Sequence, residues 1–319
     1  MVLPTFIIIG AAKSGTSALH SYLQQHPQVY MSRAKETNFF AWLDTDEPAF
    51  DVIPRNAQMD RREESRIRYN KSKDRSVKSW AEYEDLFAAV HNEVAVGESS
   101  PFYLYNPECA GRIRKHLPNA RLIAVLRNPI DRAYSHLLHY RRDGIEKHET
   151  MDAALADEDI SVEDVWWGMR HYVRAGFYSK QVQRYYDQFP EDQLLVLLYD
   201  DLKKDTAGTI RQIFGHIGVD TTFQPETSAR HNVSGIPKNR YLHELLSRPN
   251  QLKQVLKKVL PDGLRTAIAG SEFVSRLRMS NLKRDSLPQE TRVRLKEVYV
   301  DDILELQDIL HRDLSVWLI

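Results

Sequence analysis

The chain has 319 residues, enough to bury one large core or two small ones and to fold without covalent staples. Lysine plus arginine equals aspartate plus glutamate at 44 each, so no global field draws it to nucleic acid or an anionic membrane, and any anion site is local. Its single cysteine, Cys109, excludes an internal disulfide and fits a reducing compartment. The apolar stretch at 6–9 is too short for a signal-peptide core, and no run approaches the roughly 20 apolar residues of a membrane span, so the expectation is a cytoplasmic chain.

In chain order, FIII at 6–9 is bounded by glycine, and the pattern at 18–25 predicts a helix ended by His26-Pro27. Residues 94–97 read as a brief strand. RLIAVLR at 121–127 is a second buried run, followed by Asn128-Pro129 and a helix over 130–141. LLVLLYDDL at 194–202 is another, followed by a helix over 206–217 that closes at Gly218. Strands apolar throughout and separated by helices predict an α/β fold, a parallel sheet covered on both faces, with ligands at the carboxyl ends of the strands. Residues 55–78 carry nine basic and four acidic side chains and read as a solvated segment. Residues 232–290 read as a helical, partly loop-rich lobe on a single domain spanning 1–319, since no linker separates it.

Two stretches carry chemistry. In FIIIGAAKSGTSALHSYLQQHP, Gly10 and Gly15 keep the glycine spacing of a phosphate-cradling loop, but Thr16 follows the second glycine and the lysine is Lys13. A strand entering this loop and a helix leaving it aim free N–H groups and the helix dipole at one point, with Ser14, Thr16 and Ser17 as hydroxyl donors. In RNPIDRAYS, Arg127 ends a buried strand and Ser135 lies on the next helix, a pair suited to a second, separate phosphate.

Together FIIIGAAKSGTSALHSYLQQHP and RLIAVLRNPIDRAYSHLLHY resemble the 5′-phosphosulfate loop and the 3′-phosphate motif of sulfotransferases. The likeness leans toward the group containing heparan sulfate sulfotransferases and many bacterial enzymes. Lys35-Glu36-Thr37-Asn38-Phe39-Phe40, Gly97-Glu98-Ser99-Ser100-Pro101-Phe102-Tyr103, Gly176-Phe177-Tyr178 and the ending Arg312-Asp313-Leu314-Ser315-Val316-Trp317 agree in order. The resemblance implies a P-loop-like sulfotransferase fold and 3′-phosphoadenosine 5′-phosphosulfate (PAPS) as co-substrate, with no metal. It implies donor binding by Lys13, Ser14, Gly15, Thr16, Ser17, Arg127, Ser135 and Tyr178. It also explains the displaced lysine: from within the loop Lys13 reaches the oxygen bridging phosphorus and sulfur, where charge builds as the sulfuryl group leaves.

The heparan-type resemblance places a glutamate base in a Glu-x-x-Phe-Phe context, which Glu36 matches. Phe39 and Phe40 are expected to give it apolar surroundings and to line the acceptor site. Glu98 and His20 are alternates for the base; His136 and His139 read as surface or packing histidines. Where heparan-type enzymes commonly carry a lysine, this chain has Ser99, so Lys238 and Arg240 in a late basic loop are candidates for a further cation on the donor. Trp166 and Trp167 are candidates for an acceptor wall. The acceptor is a hydroxyl on a glycan, a small alcohol or phenol, a lipid, or a carrier-bound β-hydroxyacyl chain. Two other readings stand beside this one. One is a P-loop kinase or NTPase, with Asp200-Asp201 as a magnesium-holding end of a strand. The other is a non-catalytic nucleotide- or glycan-binding module.

Overall fold

The structure, a computed structural model, describes residues 2–43, 77, 79–143, 146–156, 158, 171–227, 235–239, 281–283 and 286–319. Five parallel strands form the central sheet: β1 (Phe6–Gly10), β2 (Val29–Met31), β3 (Ala95–Ser99), β4 (Arg121–Leu126) and β5 (Leu194–Leu198), in the order β2-β3-β1-β4-β5. Alternation along β1 sends Ile7 and Ile9 to one face and Phe6 and Ile8 to the other, and each face has its own core. All four are fully buried, the pattern of a strand covered on both sides. The chain leaves β1 toward β2 and β3, then crosses back to β4. The strand order therefore reverses beside β1, where open α/β sheets hold their ligands.

Helices α1 (Thr16–Leu23), α2 (Phe39–Trp42), α3 (Trp80–Asp85), α4 (Cys109–His116), α5 (Pro129–Asp143), α6 (Met151–Ala156), α7 (Ser179–Tyr186), α8 (Tyr199–Lys204), α9 (Thr206–Ile217) and α10 (Gln289–Leu310) follow in order. The pair β6 (Ile236–Pro237) and β7 (Leu282–Lys283) is antiparallel. The apolar run at 194–202 does not continue as one element: the strand stops at Leu198 and α8 begins at Tyr199. Among the described residues, no helix is long and apolar enough to cross a membrane.

Glycine is needed where β1 ends. A Cβ on Gly10 would lie 2.5 Å from Leu104 Cβ, so only glycine lets the loop after β3 settle over the strand end. There Leu104 N–H donates to the Ile9 carbonyl at 2.8 Å. Helix α10 braces the opposite side. Its Asp302 accepts hydrogen bonds from Tyr178 N–H at 2.7 Å, Ser179 N–H at 3.1 Å and Ser179 Oγ at 2.5 Å, capping α7 from another element. Asp302→Ala should therefore lower stability by about 2 kcal/mol, with Asp302→Asn in between, in urea unfolding. An unchanged midpoint in the alanine variant would remove this brace from the account.

Candidate active site

The loop between β1 and α1 turns on Gly15, whose φ of 91° favours glycine, while a Cβ there would also press on the Tyr199 ring at 3.0 Å. No side chain caps α1, so the positive end of the helix faces the loop. Lys13 itself is left-handed, with φ of 70°. At the end of β4, Asn128 Oδ1 accepts from Ile130 N–H at 3.0 Å and Asp131 N–H at 3.3 Å, and Pro129 opens α5. Arg127, one residue earlier, donates from Nη1 to the Lys13 carbonyl at 3.2 Å. Its guanidinium lies over the Tyr199 ring, 5.0 Å from the centroid. The loops that follow β1, β4 and β5 are thus clasped at one point.

Ser14 and Tyr178 are fully buried side by side, and neither hydroxyl completes a hydrogen bond of ordinary geometry. Burial raises the Tyr178 pKa, so its phenol keeps its proton. The two hydroxyls are near enough to influence each other's protonation, and among the described residues neither has a further side-chain partner. Burial also brings the Lys13 amine from 10.5 down to about 8; Arg142 and Arg127 push the same way, against Asp143 and Glu36. Thr16 and Ser17 begin α1, and the Ser17 hydroxyl accepts from Lys35 Nζ. Ser135 is buried on the same face of α5 as Arg132, His136 and His139, spaced as helical neighbours.

Glu36 sits in a left-handed conformation, φ 62°, with its side chain half exposed and ion-paired to Lys35 at 3.2 Å. Phe39 and Phe40 do not line the site around it. They are 2% and 0% exposed and pack with Trp80, Tyr83 and Tyr103, so the expectation that they form an apolar acceptor surface is corrected: they are core. Apolar residues after an exposed loop satisfy the fold first, and here α2 turns both rings inward. Glu98, the alternate acid, is fully buried with four hydroxyls on its carboxylate, which places it behind the site. His20 is buried and brought to about 4 by burial and then by Lys35, so it is neutral at physiological pH. Ser99 is buried, and its hydroxyl has no partner. Lys238 is exposed and its N–H donates to the Asn281 carbonyl at 2.6 Å, just after β6, which packs against α5. Trp166, Trp167 and Arg240 lie outside the described residues.

The sequence reads His139 as a surface or packing histidine and does not single out Arg142, Asp143 or Tyr199. His139 is brought down to about 4 by burial and then by the Lys13 charge, which places it at the lysine. Arg142 Nη2 lies 2.6 Å from His139 Nδ1, and a guanidinium only donates, so Nδ1 accepts and Nε2 carries the proton. That Nε2 lies 3.7 Å from Asp143 Oδ2. A histidine fixed in this tautomer offers a donor at Nε2 rather than a base. The signal was the spacing of His139 four residues after Ser135, one turn along the same face.

Fold and site together define an α/β protein whose loops after β1 and β4 meet at a topological switch. The Sulfotransferase family profile matches residues 4–224, more than half of the chain, and the chain belongs to that family. It is 28% identical over 221 residues to human bifunctional heparan sulfate N-deacetylase/N-sulfotransferase 2, an alignment covering 68% of this chain and 22% of that protein. Mouse heparan sulfate glucosamine 3-O-sulfotransferase 3B1 is 26% identical over 239 residues, covering 74% of this chain and 51% of that one. The membrane-associated sulfotransferase kil1 of Dictyostelium discoideum is 26% identical over 190 residues, covering 58% and 34%. The chain therefore spans about half or less of these relatives. The crystal structure of a sulfotransferase from Alicyclobacillus acidocaldarius superposes with a TM-score of 0.70 at 28% identity, covering 99% of both chains.

The charge cluster makes a direct prediction. The Lys13 amine should titrate near pH 8, followed by NMR of the reductively methylated protein. Arg142→Met should raise that value and Asp143→Asn lower it, because each removes the charge that pushes the other way. A Lys13 titration near 10.5, unmoved by either substitution, would mean the cluster is not assembled as described.

Proposed function

We propose that the chain transfers a sulfuryl group from PAPS to an acceptor hydroxyl. The observation that carries this is the contact of Arg127 with the Lys13 carbonyl at 3.2 Å, which puts the two anion-holding motifs within reach of one nucleotide bisphosphate. The buried Ser14 and Tyr178 hydroxyls, the α1 N-terminus without a side-chain cap among the described residues, and the crowded cations fit an anion of that kind. The donor supplies a sulfuryl group already joined to its leaving phosphate.

The amides and hydroxyls of Ser14, Gly15, Thr16 and Ser17 hold the 5′ phosphate, and Arg127 with Ser135 holds the 3′ phosphate. Lys13, mostly protonated at neutral pH, stabilises negative charge on the bridging oxygen more in the transition state than in the ground state. Glu36 takes the acceptor proton, a contribution of about 10²–10⁴ in rate for a placed base. Its charge raises the Lys13 pKa, which supports assigning the two to one site. The acceptor class is a hydroxyl; the relatives that act on glycans favour a sugar hydroxyl among the alternatives.

Reading the chain as a magnesium-dependent NTPase loses its main support at β5. Asp200 accepts from the Trp317 indole at 3.4 Å and pairs with Lys203 at 3.3 Å, while Asp201 pairs with Arg312 at 2.7 Å. Both carboxylates are committed to holding α8 and the C-terminal turn.

Lys13→Ala should lower sulfuryl transfer by about 10²–10³-fold or more, while 3′,5′-bisphosphoadenosine still binds, only more weakly. Radiolabelled donor with an acceptor panel measures the first effect and thermal shift the second. A saturating bisphosphate should raise the melting temperature, by a stabilisation of about 2.7 kcal/mol at 100 times Kd. Transfer at the wild-type rate in Lys13→Ala, or stabilisation by ATP with magnesium but not by the bisphosphate, would overturn the proposal.

A further inference from the structure

Glu98, one residue before the end of β3, is a buried carboxylate with four hydroxyls around it. Thr37 Oγ1 at 2.7 Å and Ser100 Oγ at 2.8 Å donate to Oε2, and Tyr83 Oη at 2.8 Å and Tyr103 Oη at 3.0 Å donate to Oε1. A hydroxyl has one proton to give, so with all four aimed at the carboxylate only their lone pairs remain. Three of those oxygens then accept consecutive backbone amides. Asn38 N–H donates to Ser100 Oγ at 3.1 Å, Phe39 N–H to Thr37 Oγ1 at 3.3 Å, and Phe40 N–H to Tyr103 Oη at 3.3 Å. These are amides of the cap and first turn of α2, which that helix leaves without carbonyl partners.

The hydroxyls also meet one another: Thr37 Oγ1 lies 3.0 Å from Tyr103 Oη and 3.3 Å from Ser100 Oγ. An ionised Glu98 draws the hydroxyl protons to itself and leaves three oxygens facing the amides of residues 38–40. Burial raises the Glu98 pKa, and the four hydroxyls oppose that rise. A carboxamide in its place brings an NH₂ group that only donates. At least one hydroxyl proton would then turn from residue 98 to a neighbouring oxygen, which rearranges the network that receives the amides of residues 38–40.

Glu36 stands immediately before this relay. Glu36 and Asn38 are both left-handed, with φ of 62° and 50°, on either side of Thr37. Side-chain-bearing residues hold such a conformation where their surroundings over-determine it. Here Glu36 N–H donates to the Ser99 carbonyl at 3.0 Å and Asn38 Nδ2 to the Glu36 carbonyl at 3.3 Å, while Thr37 between them is tied to Glu98.

We infer that Glu98 is a positioning residue: through Thr37, Ser100 and Tyr103 it fixes the entry to α2 and so sets the backbone that presents Glu36. The inference rests on the reading of Glu36 as the base. It assigns Glu98 a role in the transfer step without contact with either substrate.

The test uses the full chain as Glu98→Gln, Thr37→Val and Thr37→Ser, with two readouts. Amide hydrogen exchange at residues 38–41 requires no ligand. It should rise about tenfold or more in Glu98→Gln and Thr37→Val, with β1 and β4 as protected as before, and stay within about twofold in Thr37→Ser. Release of 3′,5′-bisphosphoadenosine from PAPS, with water as the acceptor probe, should have a kcat about tenfold lower in the first two variants. Their bisphosphate Kd should stay within about twofold of wild type, and Thr37→Ser should restore kcat. If Glu98→Gln does not fold, Thr37→Val decides on both readouts. Unchanged exchange at 38–41 overturns the relay. Raised exchange with unchanged kcat, or a loss of kcat matched by an equal loss of bisphosphate affinity, overturns the positioning of Glu36. A wild type that binds no bisphosphate counts against the proposed function, and the exchange readout still judges the relay.

Discussion

Arg127 meets the carbonyl of Lys13 while its guanidinium rests on the Tyr199 ring, and through this clasp the loops after β1, β4 and β5 act as one surface. The clasp has an electrostatic cost. It gathers Lys13, Arg127 and Arg142 around one point, and the Lys13 amine responds by becoming easier to deprotonate. The Ser14 and Tyr178 hydroxyls are buried in the same region. On the proposed function, a bound anion would relieve the repulsion among these cations. Local conflict at a functional site, compensated by a well-packed frame, is the pattern expected where selection acts on binding rather than on stability alone.

That frame is built from parts remote in sequence. The Trp317 carbonyl accepts from Asn128 Nδ2 at 3.3 Å, and its indole donates to Asp200, so the C-terminal turn ties the cap of α5 to the start of α8. Asp302 on α10 orients the backbone of Tyr178 and Ser179, and Tyr299 on the same helix donates to the Val173 carbonyl at 2.8 Å. On the opposite edge, Glu98 organises the entry to α2. Lys13, Glu36 and Arg127 lie on loops, and each of these loops is held by contacts from other elements.

Much of this was legible in the sequence, for identifiable reasons. The strands β1, β4 and β5 are apolar on both faces, so they announce themselves without periodicity, and Asn128-Pro129 marks the start of α5 through its cap chemistry. β2 was missed because three residues carry too little pattern. α10 was missed because its buried stripe, Thr291, Leu295, Tyr299, Asp302, Ile303 and Leu306, includes two polar residues serving as hydrogen-bond partners. The run at 194–202 concealed a change of element, since Leu202 is buried in a helix as readily as in a strand. Within the site, motif spacing pointed to Lys13 and Arg127. Nothing local in sequence distinguishes a phenylalanine facing a cleft from one facing the core, and Phe39 and Phe40 took the core. His139 carries only its spacing from Ser135 as a signal, and Tyr199 becomes visible only when folding brings α8 to the loop after β1.

The central claim is that a single adenosine bisphosphate spans the clasp. A crystal structure of the chain with 3′,5′-bisphosphoadenosine tests it most directly. The account predicts the 5′ phosphate on the backbone of Ser14 to Ser17 with Lys13 Nζ in hydrogen-bonding reach, and the 3′ phosphate on Arg127 and Ser135. A nucleotide seated elsewhere, or one that engages Lys13 while Arg127 stays on its carbonyl contact and touches no phosphate, would contradict it.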